Sequence, residues 1–491
     1  MSQTRNIFER EELENILENV LGKTLGEVDT NNVFEKTKKY PKITGIAGDV
    51  IEQSVLGYPA DSYQTPDLLV DGIDIELKTT GIRKSKKAGI NYEAKEPMTI
   101  TAVSPERIVD ENFYYSNFWH KIDKLLFIYY LYDSSSTVMA SEYARFPIKG
   151  YQFYEFDKED QLILRNDWTI VRDFINELQE KFEFPEQEYH RISSELRPKL
   201  MMIDTAPKWP NRPRFRLKRA VISNIVQNHF GENLEQLPQK YHSFSELDKE
   251  LHKLNIKYRG KTIEELISPK YLNIDIKRNL KSDVGKDVTE QIVTRMFGAK
   301  SKKISKIELF EKLGITGKTV TQTKAGTRTE DTKLFSIDFD EWLKEEQLFE
   351  DSVLYSDFNE KQFLFIIFEE PNINARLLEN KFLGFKRIIF DEKFIEKEVR
   401  DCWNDVREKV LKNKLKEKTR YKNGKPIINK NGTVSKELNF PKSRNFQVFL
   451  RGTGTDSNDK PIVLNGISMY RQYVWVKGTV LLNMLKGTEF I

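Results

Sequence analysis

Asp74, Glu76 and Lys78 stand at alternate positions in the run LLVDGIDIELKTT, residues 68 to 80. In an extended strand that spacing projects all three from one face and sends Ile73, Ile75 and Leu77 to the other, toward a core. Asp67 comes just before the run, directly after Pro66. Two carboxylates converging beside a lysine at the edge of a sheet make a site for a hard divalent cation, which prefers oxygen ligands. The chemistry this set suits is phosphodiester hydrolysis, which needs charge neutralisation at the scissile phosphate, a metal-activated water and a cation near the developing charge. Asp67 and Glu76 are then expected to hold the metal, Mg2+, and Lys78 to orient or activate the water. Glu52, in the preceding DVIEQ, offers a third carboxylate. Any single Glu-x-Lys on a strand also reads as a surface ion pair. The Pro-Asp step, the hairpin and the upstream Glu weigh against that here.

The elements that must carry these residues follow from the local pattern. Asp71-Gly72 interrupts an apolar run and predicts two strands joined by a tight turn. DVIEQ reads as a short helix with Val50, Ile51 and Val55 on its apolar face. A helix is expected over Glu11 to Val20, and the continuous apolar run Leu125 to Tyr132 fits a strand buried on both faces. A helix around Trp168 to Leu178 and a closing strand and helix over Phe215 to Asn228 complete a mixed α/β domain, a central sheet packed by helices.

This organisation occurs twice. GKTLGEV at Gly22 returns as GKTIEEL at Gly260, DVIEQ at Asp49 as DVTEQ at Asp287, and LFI at Leu126 as LFI at Leu364, each 238 residues later. Trp168-x-x-Val171-Arg172 is matched by Trp403-x-x-Val406-Arg407, 235 residues on, and FRLKRAVISNIV at Phe215 by VWVKGTVLLNML at Val474. Preserved order at nearly constant separation is the mark of a tandem duplication. Two domains are expected, 1–240 and 241–491, in keeping with a chain of 491 residues.

Composition narrows the chemistry. Hydrophobic residues make up 38% and charged residues 31%, with 31 Phe and 20 Tyr, which argues for filled globular cores and against disorder. The one cysteine, Cys402, precludes an intrachain disulfide or a multi-cysteine zinc site, and the five histidines show no metal spacing. The opening residues lack a basic and apolar leader pattern and no apolar run approaches the ~20 residues that span a bilayer, so a cytoplasmic protein is expected. The net charge of +4 does not single out a partner, but the basic runs at 83–87, 214–219, 300–306 and 412–422 are each able to neutralise several phosphates or to form a solvated face. GITGKT at Gly314 lacks the glycine spacing of a nucleotide-binding loop. The aromatic stretch Phe113 to Trp119 reads as a packed anchor rather than a base-stacking platform.

PDLLVDGIDIELKTTG, preceded by GDVIEQSVLG, resembles the PD-(D/E)xK nuclease signature, and more narrowly the MutH family, which contains a mismatch-repair nicking endonuclease and Sau-type restriction enzymes specific for GATC. The resemblance extends to HKIDKLLFIYY, where Lys121 matches a further active-site lysine, to RPK at Arg197 to Lys199, and to FRLKRAVIS, which matches a DNA-contacting strand and the helix after it. It implies catalytic roles for Asp67, Glu76, Lys78, Glu52 and Lys121, and DNA contacts from Arg197, Lys199, Arg216 and Lys218, with Arg451 and Lys477 as candidates in the second copy. Two departures stand out. Asp67 and Glu76 are nine residues apart, two more than the family pattern, which leaves Asp71 or Asp74 as alternative ligands unless the Asp71-Gly72 turn absorbs the extra residues. Arg216 stands where the mismatch-repair enzyme has a tyrosine.

Sau-type enzymes resemble this chain in carrying two such domains, the second a catalytically dead copy that binds another site and activates the first. Shifting Asp67 and Glu76 by 240 lands on Ile307 and Thr316, whereas Glu52 and Lys78 land on Glu290 and Lys318. A copy without both acids loses hydrolysis and remains able to bind DNA. The resemblance further implies double-stranded DNA as partner, functional association of two molecules or of two sites on DNA, and a cognate DNA methyltransferase. Three functions follow from this reading: a two-domain restriction endonuclease, a MutH-like nicking enzyme of mismatch repair, and a non-catalytic DNA-binding protein.

Overall fold

The computed structural model describes residues 6–59, 65–85, 90–134, 137–207, 210–279, 283–326, 330–372, 374–429, 432–454, 456 and 458–491. Its internal contacts divide the chain into two compact units. One comprises Met1–Ser134, Val138–Glu250 and Phe297–Ile315, the other Ser135–Thr137, Leu251–Met296 and Thr316–Ile491.

In the first unit, strand β1 (Asn6–Phe8) and helix α1 (Arg10–Glu18) lead to helix α2 (Ile46–Val50), which runs on as one π-helical turn over Ile51–Val55. Strands β2 (Leu68–Val70) and β3 (Ile73–Lys84) form the expected hairpin. Its turn holds two residues, Asp71 and Gly72, with φ of 49° and 77°, the doubly positive turn that matches strand twist. Strands β4 (Tyr92–Ala94), β5 (Met98–Ala102), β6 (Lys124–Leu131) and β7 (Ile148–Glu155) follow, then helix α3 (Lys158–Lys181), strands β8 (Ile203–Asp204) and β9 (Arg214–Leu217), and helix α4 (Arg219–His229).

The main sheet runs β1-β2-β3-β6-β7, with β4 on the far end of β3. β3 and β6 are parallel, while β2–β3 and β6–β7 are antiparallel. β3 is thus an interior strand. Leu13 and Leu17 of α1 and Val50 and Ile51 of the α2 region pack over Ile75, Leu77, Leu126 and Ile128. The second face is buried too: Glu76 is 2% exposed, whereas Ile73, expected in the core, is 45% exposed at the tip of the hairpin. The placement of Glu76 on a sheet edge is therefore corrected, since polar alternation in an interior strand marks a buried polar site and not a wet face. A separate sheet, β5-β9-β8, is antiparallel throughout.

Helix α5 (Phe244–Tyr258) carries the chain across the division, and helix α6 (Val288–Met296) belongs to the second unit. The chain then returns. Helix α7 (Glu308–Lys312) packs on α4, Lys312 forms an ion pair with Asp160 in the first turn of α3, and Glu235 accepts the backbone N–H groups of Lys300 and Ser301 at 2.5 and 2.6 Å. These contacts place Phe297–Ile315 with the first unit, so the compact division does not coincide with the expected boundary at residue 240.

The second unit contains β10 (Ile315–Thr323), β11 (Thr332–Ser336), β12 (Gln362–Glu370), β13 (Lys381–Ile388), helix α8 (Arg400–Leu411), β14 (Val448–Thr453), β15 (Arg471–Val476) and helix α9 (Gly478–Lys486), with three short two-stranded ribbons between 417 and 469. Its sheets, β10-β12-β13 and β11-β15-β14, repeat β3-β6-β7 and β5-β9-β8 in order. The repeated sequence motifs take the same shape. Gly22 and Gly260 adopt φ of 80° and 81°, a left-handed turn that glycine enters without strain. Gly22 N donates to Ile148 O at 2.9 Å and Ile148 N to Lys23 O at 2.8 Å; Gly260 N donates to Phe382 O at 2.7 Å and Phe382 N to Lys261 O at 2.8 Å. Thr24 and Glu27 exchange backbone-to-side-chain hydrogen bonds, as do Thr262 and Glu265, which form a capping box. Trp168 and Trp403 are buried in α3 and α8, with Arg172 and Arg407 lying 5.5 and 4.4 Å over their rings. These matches make each copy a mixed α/β domain with a central sheet flanked by helices. Among the described residues no helix is long and apolar enough to cross a membrane.

Because each Thr–Glu exchange satisfies backbone donors that would otherwise face only water, Thr24→Ala and Thr262→Ala should each cost about 1 kcal/mol. Sharing no partner, they should add in the double variant. Denaturant unfolding curves check both statements.

Candidate active site

The hairpin register decides which acids meet. Leu68 faces Ile75, Leu69 faces Asp74 and Val70 faces Ile73, so one step beyond the ladder Asp67 comes opposite Glu76. The Leu77 N–H donates to Asp67 Oδ2 at 2.9 Å, and Asn6 Nδ2 donates to the Asp67 carbonyl at 3.0 Å, which fixes the residue in place. Across a two-residue turn, opposed residues are separated by an odd number, and each added rung of the ladder adds two. The nine-residue separation is therefore one additional rung; the turn itself is minimal and absorbs nothing. Asp71 sits in that turn, where its Oδ1 accepts from Arg10 N at 3.2 Å, and Asp74 is exposed two rungs nearer the tip, opposite Leu69. Asp67 is the acid that lies with Glu76.

Glu76 is almost wholly enclosed, yet its carboxylate is held by two ammonium groups. Lys78 Nζ lies 2.7 Å from Oε1, and Lys121 Nζ lies 3.0 Å from both oxygens. Lys78 comes from the same face of β3, two residues on. Lys121 comes from the residue ending the short helix Asn117–His120, four positions before Leu125, which pairs with Glu76 in the parallel ladder. A buried carboxylate is tolerated when opposite charges and hydrogen bonds surround it. Asp67 is pushed up to about 6, chiefly by burial and next by the Glu76 charge, while Lys78, Lys121 and the Leu77 N–H pull it back.

Glu52 Oε1 and Thr79 Oγ1 both lie 4.0 Å from where a Cβ on Gly48 would stand. The expected third carboxylate thus lies near β3.

Magnesium keeps several of its own waters and is commonly bound through one or two carboxylates together with a substrate phosphate. Asp67 and Glu76 provide that pair, and among the described residues no group of three His, Cys, Asp or Glu forms an enclosed cage. The donor set fits a hard divalent ion shared with DNA.

The predicted DNA contacts are more divided. Lys199 is exposed and Arg197 half-buried, just after helix Arg191–Leu196. Arg216 is half-buried on β9 and forms a two-pronged pair with Asp204 at 2.7 and 3.0 Å. Lys218 is 5% exposed and donates to the Leu200 carbonyl, so the structure corrects the expectation of an open, phosphate-facing amine: its side chain lies in the interior. Beside it Asp167, which the sequence reading missed, accepts the N–H groups of Met201, Met202 and Ile203 at 2.9, 2.7 and 3.2 Å and anchors the chain after RPK to α3. Its only sequence signal was an acid on the helix face that carries Leu164, Trp168 and Val171. In the second unit Arg451 is exposed, paired with Asp331 at 2.6 Å and 4.7 Å from the Trp475 ring, and Lys477 is half-buried at the start of α9. Of the aromatic stretch, Phe113, Phe118 and Trp119 are buried and Tyr114 and Tyr115 exposed. In the basic run 83–87, Arg83 pairs with Glu93, and residues 86 and 87 lie outside the described residues.

Because the Asp67 carboxyl binds its proton more tightly folded than unfolded, its contribution to stability is present at low pH and lost as pH rises through about 6. Asp67→Asn should therefore raise the thermal midpoint of the chelator-treated protein by a few degrees at pH 8 and leave it nearly unchanged at pH 4, where Asp67 is already neutral. Scanning calorimetry at the two pH values tests this; an equal midpoint at pH 8 would contradict it.

Residues 56–167 match the MutH family, described as the DNA mismatch repair enzyme MutH. That stretch holds Asp67, Glu76, Lys78 and Lys121 and leaves out Glu52. Over 426 residues the chain is 24% identical to the type II restriction enzyme Sau3AI of Staphylococcus aureus, covering 82% of this chain and 80% of that enzyme. The chain therefore carries a MutH-family nuclease domain, of the PD-(D/E)xK restriction-endonuclease-like fold, within a sequence similar over most of its length to a Sau-type restriction enzyme.

Proposed function

We propose that this protein is a type II restriction endonuclease that hydrolyses both strands of duplex DNA at a short site, GATC, with Mg2+, and that its second copy binds a further site without cutting and activates the first. The observation that carries the reading is the enclosed Glu76 carboxylate between Lys78 and Lys121 with Asp67 opposite. The length of the match to a type II restriction enzyme supports it over a single-domain nicking enzyme.

A bound divalent ion would lie on Asp67 and Glu76 and supply charge neutralisation and a more acidic water. The chain's own residues do the rest. Lys121, donating to both oxygens of Glu76, keeps that carboxylate oriented. Lys78 Nζ, the more exposed of the two amines, is placed to hold the attacking water or a phosphate oxygen. The Leu77 N–H holds the Asp67 carboxylate in register with Glu76. Arg197, Lys199 and Arg216 are the groups for base edges and phosphates, Arg216 by exchanging its Asp204 partner.

The two functions differ in product. Incubated with unmethylated plasmid and Mg2+, the protein should give linear fragments ending at one sequence; nicked circles alone would favour the mismatch-repair type of enzyme, and retention without scission a binding protein. Glu76→Ala and Lys78→Ala should lower cleavage at least ~10³-fold while binding to the same duplex persists, and chelator should do the same to the parent chain. Undiminished cutting by either variant would reject the site.

A further inference from the structure

The second unit keeps the amines of the site and has lost its acids. Lys318 lies on β10, the counterpart of β3, and Thr316 occupies the position two before it, where Glu76 stands relative to Lys78. Lys361 immediately precedes β12, as Lys121 precedes β6. The hairpin strand that brings Asp67 to Glu76 has no equivalent in front of β10, where the chain forms α7 instead. Without a carboxylate between them, the ammonium groups meet one another's field.

Their partners are few. Lys318 Nζ donates to the Leu334 carbonyl at 3.3 Å, a long bond, and no other hydrogen-bond acceptor for it is found among the described residues. Lys361 pairs with Asp357 at 2.5 Å and lies 4.6 Å from the Phe335 ring. Lys333, on β11 beside Leu334, has its Nζ 3.2 Å from the Tyr473 ring centroid and 3.4 Å from Thr453 Oγ1. Lys318 is pushed down to about 8, first by burial, then by Lys361 and also by Lys333, with Glu290 opposing. Asp357 and Glu290 offset two of the three positive charges. An aliphatic side chain would fill the Lys318 position without this electrostatic cost, so an ammonium there points to an anion that arrives from outside.

We propose that Lys318, Lys361 and Lys333 form a phosphate grip for a backbone phosphodiester of duplex DNA, which occupies in the second unit the place that the Glu76 carboxylate fills in the first. The proposal rests on the reading of the second copy as a DNA-binding one and names how it holds its ligand. Lys333 continues the grip onto the β11-β15-β14 sheet, where β15 repeats the strand β9 and Arg451 stacks against Trp475. One basic track thus runs from the vestigial catalytic strand to the strand placed to read DNA.

The test uses the full chain carrying Glu76→Ala, so that DNA survives, and a fluorescent GATC-containing duplex titrated by anisotropy over a range of salt. Two duplexes should bind per chain. Adding Lys318→Met, or Lys361→Met at the more exposed position, should weaken one of them about 10-fold and lower its salt slope by about one, while Lys318→Arg restores both. A stoichiometry of one duplex overturns the DNA-binding role of the second copy and the grip with it. Two duplexes with affinity and slope unmoved by both methionine variants overturn the grip alone. Displacement of one duplex by inorganic phosphate at constant ionic strength would make the pocket a small-anion site and likewise overturn it.

Discussion

A carboxylate 2% exposed, held at three oxygen-to-ammonium contacts of 3.0 Å or less, sets the terms for the first unit. Taking a charge out of water costs several kcal/mol unless opposite charges replace the solvent, and removing one partner of such a group leaves most of that cost standing. Each surrounding element is constrained accordingly. β3 must be interior, so that Glu76 is shielded; β6 must run parallel to it, so that its leading end delivers Lys121; and the hairpin must close in two residues, so that Asp67 comes opposite. Two acids and two amines leave the cluster neutral when all are ionised. The repulsion between Asp67 and Glu76 is then the remaining imbalance, and a cation held by the two acids would relieve it.

The second unit shows what the same scaffold does without that demand. It conserves the left-handed glycine, the Thr–Glu exchange, the buried tryptophan under an arginine and the order of both sheets. All of these stabilise backbone or core and have nothing to do with hydrolysis. What it lacks is confined to the acid-bearing hairpin, whose sequence neighbourhood forms α7 and packs on α4 in the first unit. Folding and chemistry place separate requirements on the chain, and a duplicate can drop one set while keeping the other.

Much of this was legible from residues alone, because the signals were redundant. Asp-Gly between two apolar runs has one compact solution, and repeats at a fixed separation cannot be maintained by loops. The misreadings share a cause. Alternation of charged and apolar residues indicates which side chains share a face, but it does not reveal whether that face is wet, and so Glu76 was expected on an edge. Lys218 lies in a run of basic residues and was assigned to DNA, yet its neighbours across the fold, Asp167 and the Leu200 carbonyl, bury it.

The hairpin also shows how the spacing of the family pattern can be stretched without separating the two acids. Adding one residue between the two acids would turn Asp67 to the opposite side of the strand, because side chains alternate with a period of two. Adding two lengthens the ladder by a rung and returns the acid to the same side, opposite the same glutamate. Spacing between paired carboxylates on a two-residue hairpin is therefore free to change in steps of two, while the turn residues are not. Asp71 and Gly72 hold φ of 49° and 77°, a conformation open to few residue types. Parity and turn chemistry decide which residues of such a hairpin face each other, and a count of intervening residues is a poor guide to which acid lies opposite the glutamate.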